Sequence, residues 1–208
     1  MIPRYQKILF AILLIASLAM GVLLWQLRER AHKRLVAGEA SAPTKAPEVA
    51  PAEQATLVAA NDADNSLVPQ VHSLPLPADP GARARAVLGR LLDLYADPEA
   101  THPVPGGAAS VAQVFLLPLS GKAKSHTPDA LRAVVNLTGN FAASHPSGLQ
   151  TETLTLDSIC ATLRANLPRV VEVQFLVDGQ QRATLAGHAD LTRTYLTAEA
   201  TPIEGTTP

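Results

Sequence analysis

Val-Val-Glu-Val-Gln-Phe-Leu-Val-Asp-Gly, residues 170–179, alternates along its length. Val171, Val173, Phe175 and Val177 fall on one side of an extended chain, and Glu172 and Gln174 on the other. Successive side chains of a strand point to opposite faces, so the pattern predicts a half-buried strand. Asp178-Gly179 supplies the left-handed geometry of a tight turn, and Arg182–Leu185 is expected to return as a short strand. Ala186-Gly187-His188-Ala189-Asp190-Leu191 closes the segment.

Upstream, Ser147-Gly148-Leu149-Gln150 has the spacing of a capping box. Leu156, Ile159, Cys160, Leu163 and Leu167 then mark one face of a helix that Pro168 stops. Thr162 lies one step around that helix, and its replacement is expected to cost little. Leu131–Leu137 alternates, with Leu131, Ala133, Val135 and Leu137 on one side. Val111–Leu117 is almost wholly apolar, the pattern of a central strand covered on both faces. The connecting loop carries Lys122, Lys124 and His126. Anion binding and a plain solvated loop both fit it, and the second is simpler.

Further back, Asp79 and Pro80 read as N-cap and first helical residue. Ala84, Val87, Leu88, Leu91, Leu92 and Tyr95 follow on one face, and Asp97-Pro98 ends the helix. Thr56–Val58 and Leu67–Leu74 read as two short strands around a polar loop, with Pro69 marking the second as an edge strand. Two one-faced helices need a sheet to cover. The expected fold is α+β: a small mixed sheet with two helices packed on one face, preceded by an N-terminal transmembrane helix.

That preceding helix rests on Ile8–Trp25, nearly unbroken apolar sequence long enough to cross a hydrocarbon core roughly 30 Å thick. Ala16-Ser17-Leu18-Ala19 is a poor cleavage site, so an uncleaved anchor is expected rather than a secretory signal. Arg28, Arg30, Lys33 and Arg34 would favour a cytoplasmic C-terminal flank by charge count alone. The short lead before Arg4 and Lys7 is typical of a signal anchor with its domain outside. Pro43, Pro47 and Pro51 punctuate an Ala/Pro-rich linker. The expected organisation is a lead over 1–7, an anchor over 8–27, collar and linker over 28–54, a domain over 55–197 and a tail over 198–208.

The chain has 208 residues and a net charge of −1, so no global field points to nucleic acid. Its single cysteine, Cys160, excludes an intramolecular disulfide and sits in an apolar helical pattern. No metal-ligand cluster, phosphate-binding glycine loop or nucleophile elbow is present, and no cofactor is expected. The nearest approach to a catalytic set is Glu152, Asp157, His188 and Asp190. Glu152 is read as a first-turn acid complementing the helix dipole, and His188 as a turn residue. Glu152→Gln and His188→Ala are expected to affect stability only modestly.

Val173–Gly179, Thr184–His188 and Asp190-Leu191 together resemble the closing segment of the GerMN domain, a module named for sporulation and spore-germination proteins. Ala133–Leu137, Asn140-Phe141 and the Gly148–Leu163 helix extend the resemblance over roughly residues 55–195. The family is not defined by a catalytic motif. The resemblance implies structural roles for Asn136, Asn140, Phe141, Phe175, Asp178, Gly179, Gly187, His188 and Asp190. It also implies a non-catalytic, extracytoplasmic module of the bacterial envelope, acting in sporulation or peptidoglycan-related processes through envelope partners or self-association. Contact with peptidoglycan is compatible with that role. The alternatives are a peptidoglycan hydrolase and a passive wall-glycan binder. Aromatic residues make up only 4% of the chain, which weakens the binder.

Overall fold

The structure is a computed structural model that describes residues 17–18, 20–22, 24–25, 52–119 and 129–200. The chain divides into two units, Met1–Glu48 and Val49–Pro208. In the first, the described residues are helical. Among the described residues no helix is long and apolar enough to cross a membrane. The anchor expected over 8–27 lies largely outside them, as do the basic collar, most of the linker, Lys122, Lys124 and His126.

The second unit runs β1 (Ala52–Asn61), β2 (Ser66–Pro75), α1 (Pro80–Tyr95), a 3₁₀ turn (Gly107–Ser110), β3 (Val111–Pro118), β4 (Leu131–Leu137), α2 (Gly139–Ser144), α3 (Leu149–Asn166), β5 (Val170–Val177) and β6 (Tyr195–Leu196). The first strand runs Ala52–Asn61, longer at both ends than the expected Thr56–Val58. Asp79 caps α1 as its sequence requires, accepting from the Ala82 amide at 2.7 Å. Thr138 caps the short α2, which the sequence reading missed.

β3 to β6 form one mixed sheet in chain order, with β4 and β5 parallel and the outer pairs antiparallel. A parallel pair needs a crossover, and α2 with α3 supplies it. Val114, Ala133, Val135, Val173, Phe175 and Tyr195 form the buried inner face, in one core with the apolar stripes of α1 and α3. Val171 departs from the simple alternation. The register shifts between Leu131↔Val170 and Arg132↔Glu172, and Val170 is buried while Val171 is only partly so.

Two segments differ from expectation. β3 is an edge strand, with Phe115 and Leu117 exposed on the outer face. A continuous apolar run does not by itself require cover on both sides. Arg182–Leu185 is not a strand; only isolated bridges occur there, and β5 pairs instead with Tyr195–Leu196.

β1 and β2 form a separate two-stranded sheet rather than joining the main one. Side chains occupy the outer edge of β1. The Thr56 amide donates to Asn166 Oδ1 at 3.0 Å, and the Thr56 carbonyl accepts from Asn166 Nδ2 at 2.6 Å. The Val58 amide donates to Thr162 Oγ1 at 2.9 Å, and the Ala60 amide to the Tyr95 hydroxyl at 2.8 Å. Buried backbone groups need partners, and α1 and α3 provide them where a neighbouring strand would. Pro69 stands opposite Val58. Val58 turns its amide away from β2, so the pair is one whose backbone groups point outward, and proline is tolerated there.

Thr162 is therefore fully buried, against the expectation that it faces away from the core. Leu163→Ala should cost about 2–5 kcal/mol in urea unfolding. Thr162→Val should cost about 1–3 kcal/mol by orphaning the Val58 amide. Thr162→Ser, which keeps the oxygen, should cost roughly 1 kcal/mol or less. Equal losses for the valine and serine variants would show that the hydroxyl does not hold the edge.

Candidate functional site

Glu152 lies in the first turn of α3 with its side chain fully buried. Oε2 accepts from the amides of Ala186, His188 and Ala189 at 3.0, 3.0 and 2.8 Å. Oε1 accepts from the Gly148 amide at 3.2 Å and lies 3.0 Å from His188 Nδ1. Ser147 Oγ donates to the Ala186 carbonyl at 3.0 Å. The chain after β5 thus wraps around one carboxylate. Gly187 turns the wrap at φ 124, a left-handed conformation that other residues rarely adopt. Leu185 and Leu191 flank it and are fully buried.

Ser147 and Gln150 do not form the expected capping box. Gly148 is the N-cap of α3 and no side chain caps it; Ser147 reaches the closing loop instead. Glu152 supplies the missing acceptor for the Gly148 amide. Burial opposes charge on Glu152, but the amides of Ala189, Ala186 and His188, together with the His188 ring, outweigh it and hold the carboxyl down at about 2.

Ser147, His188 and Glu152 have the side-chain types of a nucleophile, a base and an orienting acid. Their geometry departs from a relay. Ser147 Oγ and Glu152 Oε1 both address Nδ1 of His188, at 3.4 and 3.0 Å, where a relay needs opposite ring nitrogens. Asp157 is not part of this cluster. Burial raises its carboxyl above the usual range, Arg193 opposes that and Glu199 adds to it. Asp190 accepts from the Thr192 amide and hydroxyl at 2.8 and 2.6 Å, and its exposed carboxyl is lowered by those bonds. The set Glu152, Asp157, His188 and Asp190 therefore splits, and only Glu152 and His188 meet.

The other motif residues form a second cluster. Asp178 and Gly179 both have positive φ, 50 and 75, and make the tight turn after β5. Asp178 Oδ1 accepts from the Gly139 amide at 2.8 Å, and Asn136 Oδ1 from the Gly179 amide at 2.7 Å. A side chain at Gly139 would collide with the Asp178 carboxylate. This turn therefore ties the end of β5 to the end of β4 and the start of α2. Phe141 and Phe175 are buried, edge-on to His145 and Tyr195. Asn140 is exposed, and its carbonyl accepts from Ser144 Oγ at 2.9 Å. Cys160 is buried, and burial pushes its thiol up. The sequence reading missed His102, His145 and Thr155, all buried polar residues. Among the described residues no group of His, Cys, Asp and Glu could hold a metal ion.

A family model described as Germane, sporulation and spore germination, matches residues 54–183. The matched span ends before the loop that wraps Glu152. No curated protein matches the chain. Among solved structures, a candidate lipoprotein from Clostridium perfringens is 19% identical with a TM-score of 0.32, covering 75% of this chain and 95% of its own.

Glu152 makes acid stability a direct test of the buried carboxylate. Its folded value lies below the ordinary 4.5, so its stabilisation is present above that value and lost as pH falls toward about 2. The difference corresponds to on the order of 3 kcal/mol at pH 7. Glu152→Gln should therefore be costly at pH 7, contrary to the modest effect expected from sequence. Urea unfolding of both proteins between pH 7 and pH 2 should show the gap closing. A gap that stays constant with pH would mean that the carboxylate charge is not what stabilises the loop.

Proposed function

This chain belongs to the Germane family, described as sporulation and spore germination; from that premise we propose that it is a non-catalytic module of the cell envelope that works by contact. In this reading Ile8–Trp25 anchors it in the plasma membrane, and the linker carries the domain away from the extracytoplasmic surface. Its partners are envelope proteins or further copies of itself, in the neighbourhood of peptidoglycan.

The observation that carries the proposal is the outer face of the main sheet. The helices cover the inner face, while the outer face leaves Phe115, Leu117 and Leu196 exposed around the Arg132–Glu172 ion pair at 2.7 Å. Exposed apolar groups in one patch, centred on a fixed charge pair, favour a protein contact. The engagement of Glu152 with backbone amides fits the same reading, because neither of its oxygens is left to act on a substrate.

Phe115→Asp with Leu117→Asp tests the patch. The double variant should keep the circular dichroism of the parent but lose self-association in sedimentation, or the capture of envelope proteins after cross-linking in cells. Unchanged association and capture would remove the patch from the account. Incubation of the parent with peptidoglycan, followed by mass spectrometry, should give no released muropeptides. Release that is lost in Asp157→Asn would favour the hydrolase instead.

A further inference from the structure

A second polar network runs through the core, separate from the Glu152 loop. Asp62 comes from the β1–β2 turn, His102 from the segment after α1, Thr155 from α3 and His145 from the end of α2. His102 Nδ1 lies 2.6 Å from Asp62 Oδ1, and His102 Nε2 lies 2.7 Å from Thr155 Oγ1. His145 Nε2 lies 2.8 Å from the same Thr155 oxygen, and His145 Nδ1 lies 2.8 Å from the Pro146 carbonyl. His102 and Thr155 are fully buried, and His145 nearly so.

Each contact needs one hydrogen, and the hydrogens can be counted. The Pro146 carbonyl accepts only, so His145 carries its hydrogen on Nδ1. A neutral His145 then has a bare Nε2, which must accept the Thr155 hydroxyl hydrogen. Thr155 can release its bond to the Thr151 carbonyl, which the α-helical ladder already serves. The contact between Thr155 and His102 must therefore be donated by His102 Nε2. The remaining contact, to the Asp62 carboxylate, has no hydrogen left if His102 is neutral. Charging His145 instead would also balance the count, but burial holds that ring below the usual histidine range and no carboxylate touches it. Around His102 stand Asp62, the edge-on ring of Tyr95 at 4.8 Å and His145, with Glu152 acting on His145 from farther off. Burial pushes the Tyr95 phenol up to about 12, so Tyr95 stays neutral.

We infer that the folded chain holds one extra proton in this network, on His102 as an imidazolium facing the Asp62 carboxylate, and that this proton latches the β1–β2 turn onto α3. The unfolded chain releases the proton as pH rises, so the latch contributes stability that is lost with rising pH. Asp62→Asn separates this latch from a merely structural contact. The asparagine amide can donate to the bare Nδ1 of a neutral His102, which completes the network without the extra proton.

Nitrogen-15 spectra of the full-length chain at pH 7 should show one histidine protonated on both ring nitrogens, lost in His102→Gln, and His145 as the Nδ1–H tautomer. Between pH 6 and pH 9 the melting temperature of the native chain should fall by on the order of 3–5 °C more than that of D62N. A neutral His102 in the spectrum, or parallel pH curves for the two proteins, would overturn the inference. The spectrum decides it even where D62N does not fold.

Discussion

The closing segment of this domain depends on a carboxylate that has left water. Glu152 loses its hydration on burial and recovers it as hydrogen bonds from the amides of Ala186, His188 and Ala189. Those donors belong to a loop with almost no regular structure. Without a common acceptor their amides would be orphaned against the start of α3. The charge and the loop therefore require each other. Leu185 and Leu191 reach the core only because the backbone between them is folded around Glu152.

The same logic governs the rest of α3. This helix is polar for a buried element, and its Thr155, Ser158 and Thr162 are all inaccessible. Their hydroxyls serve backbone and neighbours rather than solvent. Thr162 and Asn166 complete the edge of β1, and Thr155 joins two histidines. One helix thus holds the hairpin on one flank, the main sheet on another and the closing loop at its start. A separate hairpin sheet is possible because side chains, not another strand, complete its edge.

Much of this architecture was legible in the sequence. The α1 stripe, its Asp79 cap, the β4 and β5 alternation and the proline stop after α3 all depend on local period and local chemistry, which a sequence displays directly. Legibility failed where a residue's partner is distant in the chain. Thr162 looked exposed because helical period places it off the Leu156–Ile159–Leu163 face, and nothing local announces the Val58 amide. Ser147 and Gln150 had the spacing of a capping box, yet the loop 39 residues on took the Ser147 hydroxyl. Arg182–Leu185 looked like a returning strand because the turn before it was real. The loop instead followed Glu152, whose burial no local pattern reveals. The family resemblance was carried by residues such as Asn136 and Gly179, whose hydrogen bond ties the turn after β5 to the end of β4.

Near the closing loop the titratable groups organise backbone: Glu152 and Asp190 both accept from main-chain amides. Amide hydrogen exchange tests this most directly. At neutral pH the amides of Ala186, His188 and Ala189 should exchange as slowly as those of β4 and β5, although they lie in a loop, and Glu152→Gln should free them. Exchange of these three amides in the native protein at the rate of an ordinary exposed loop would contradict the account.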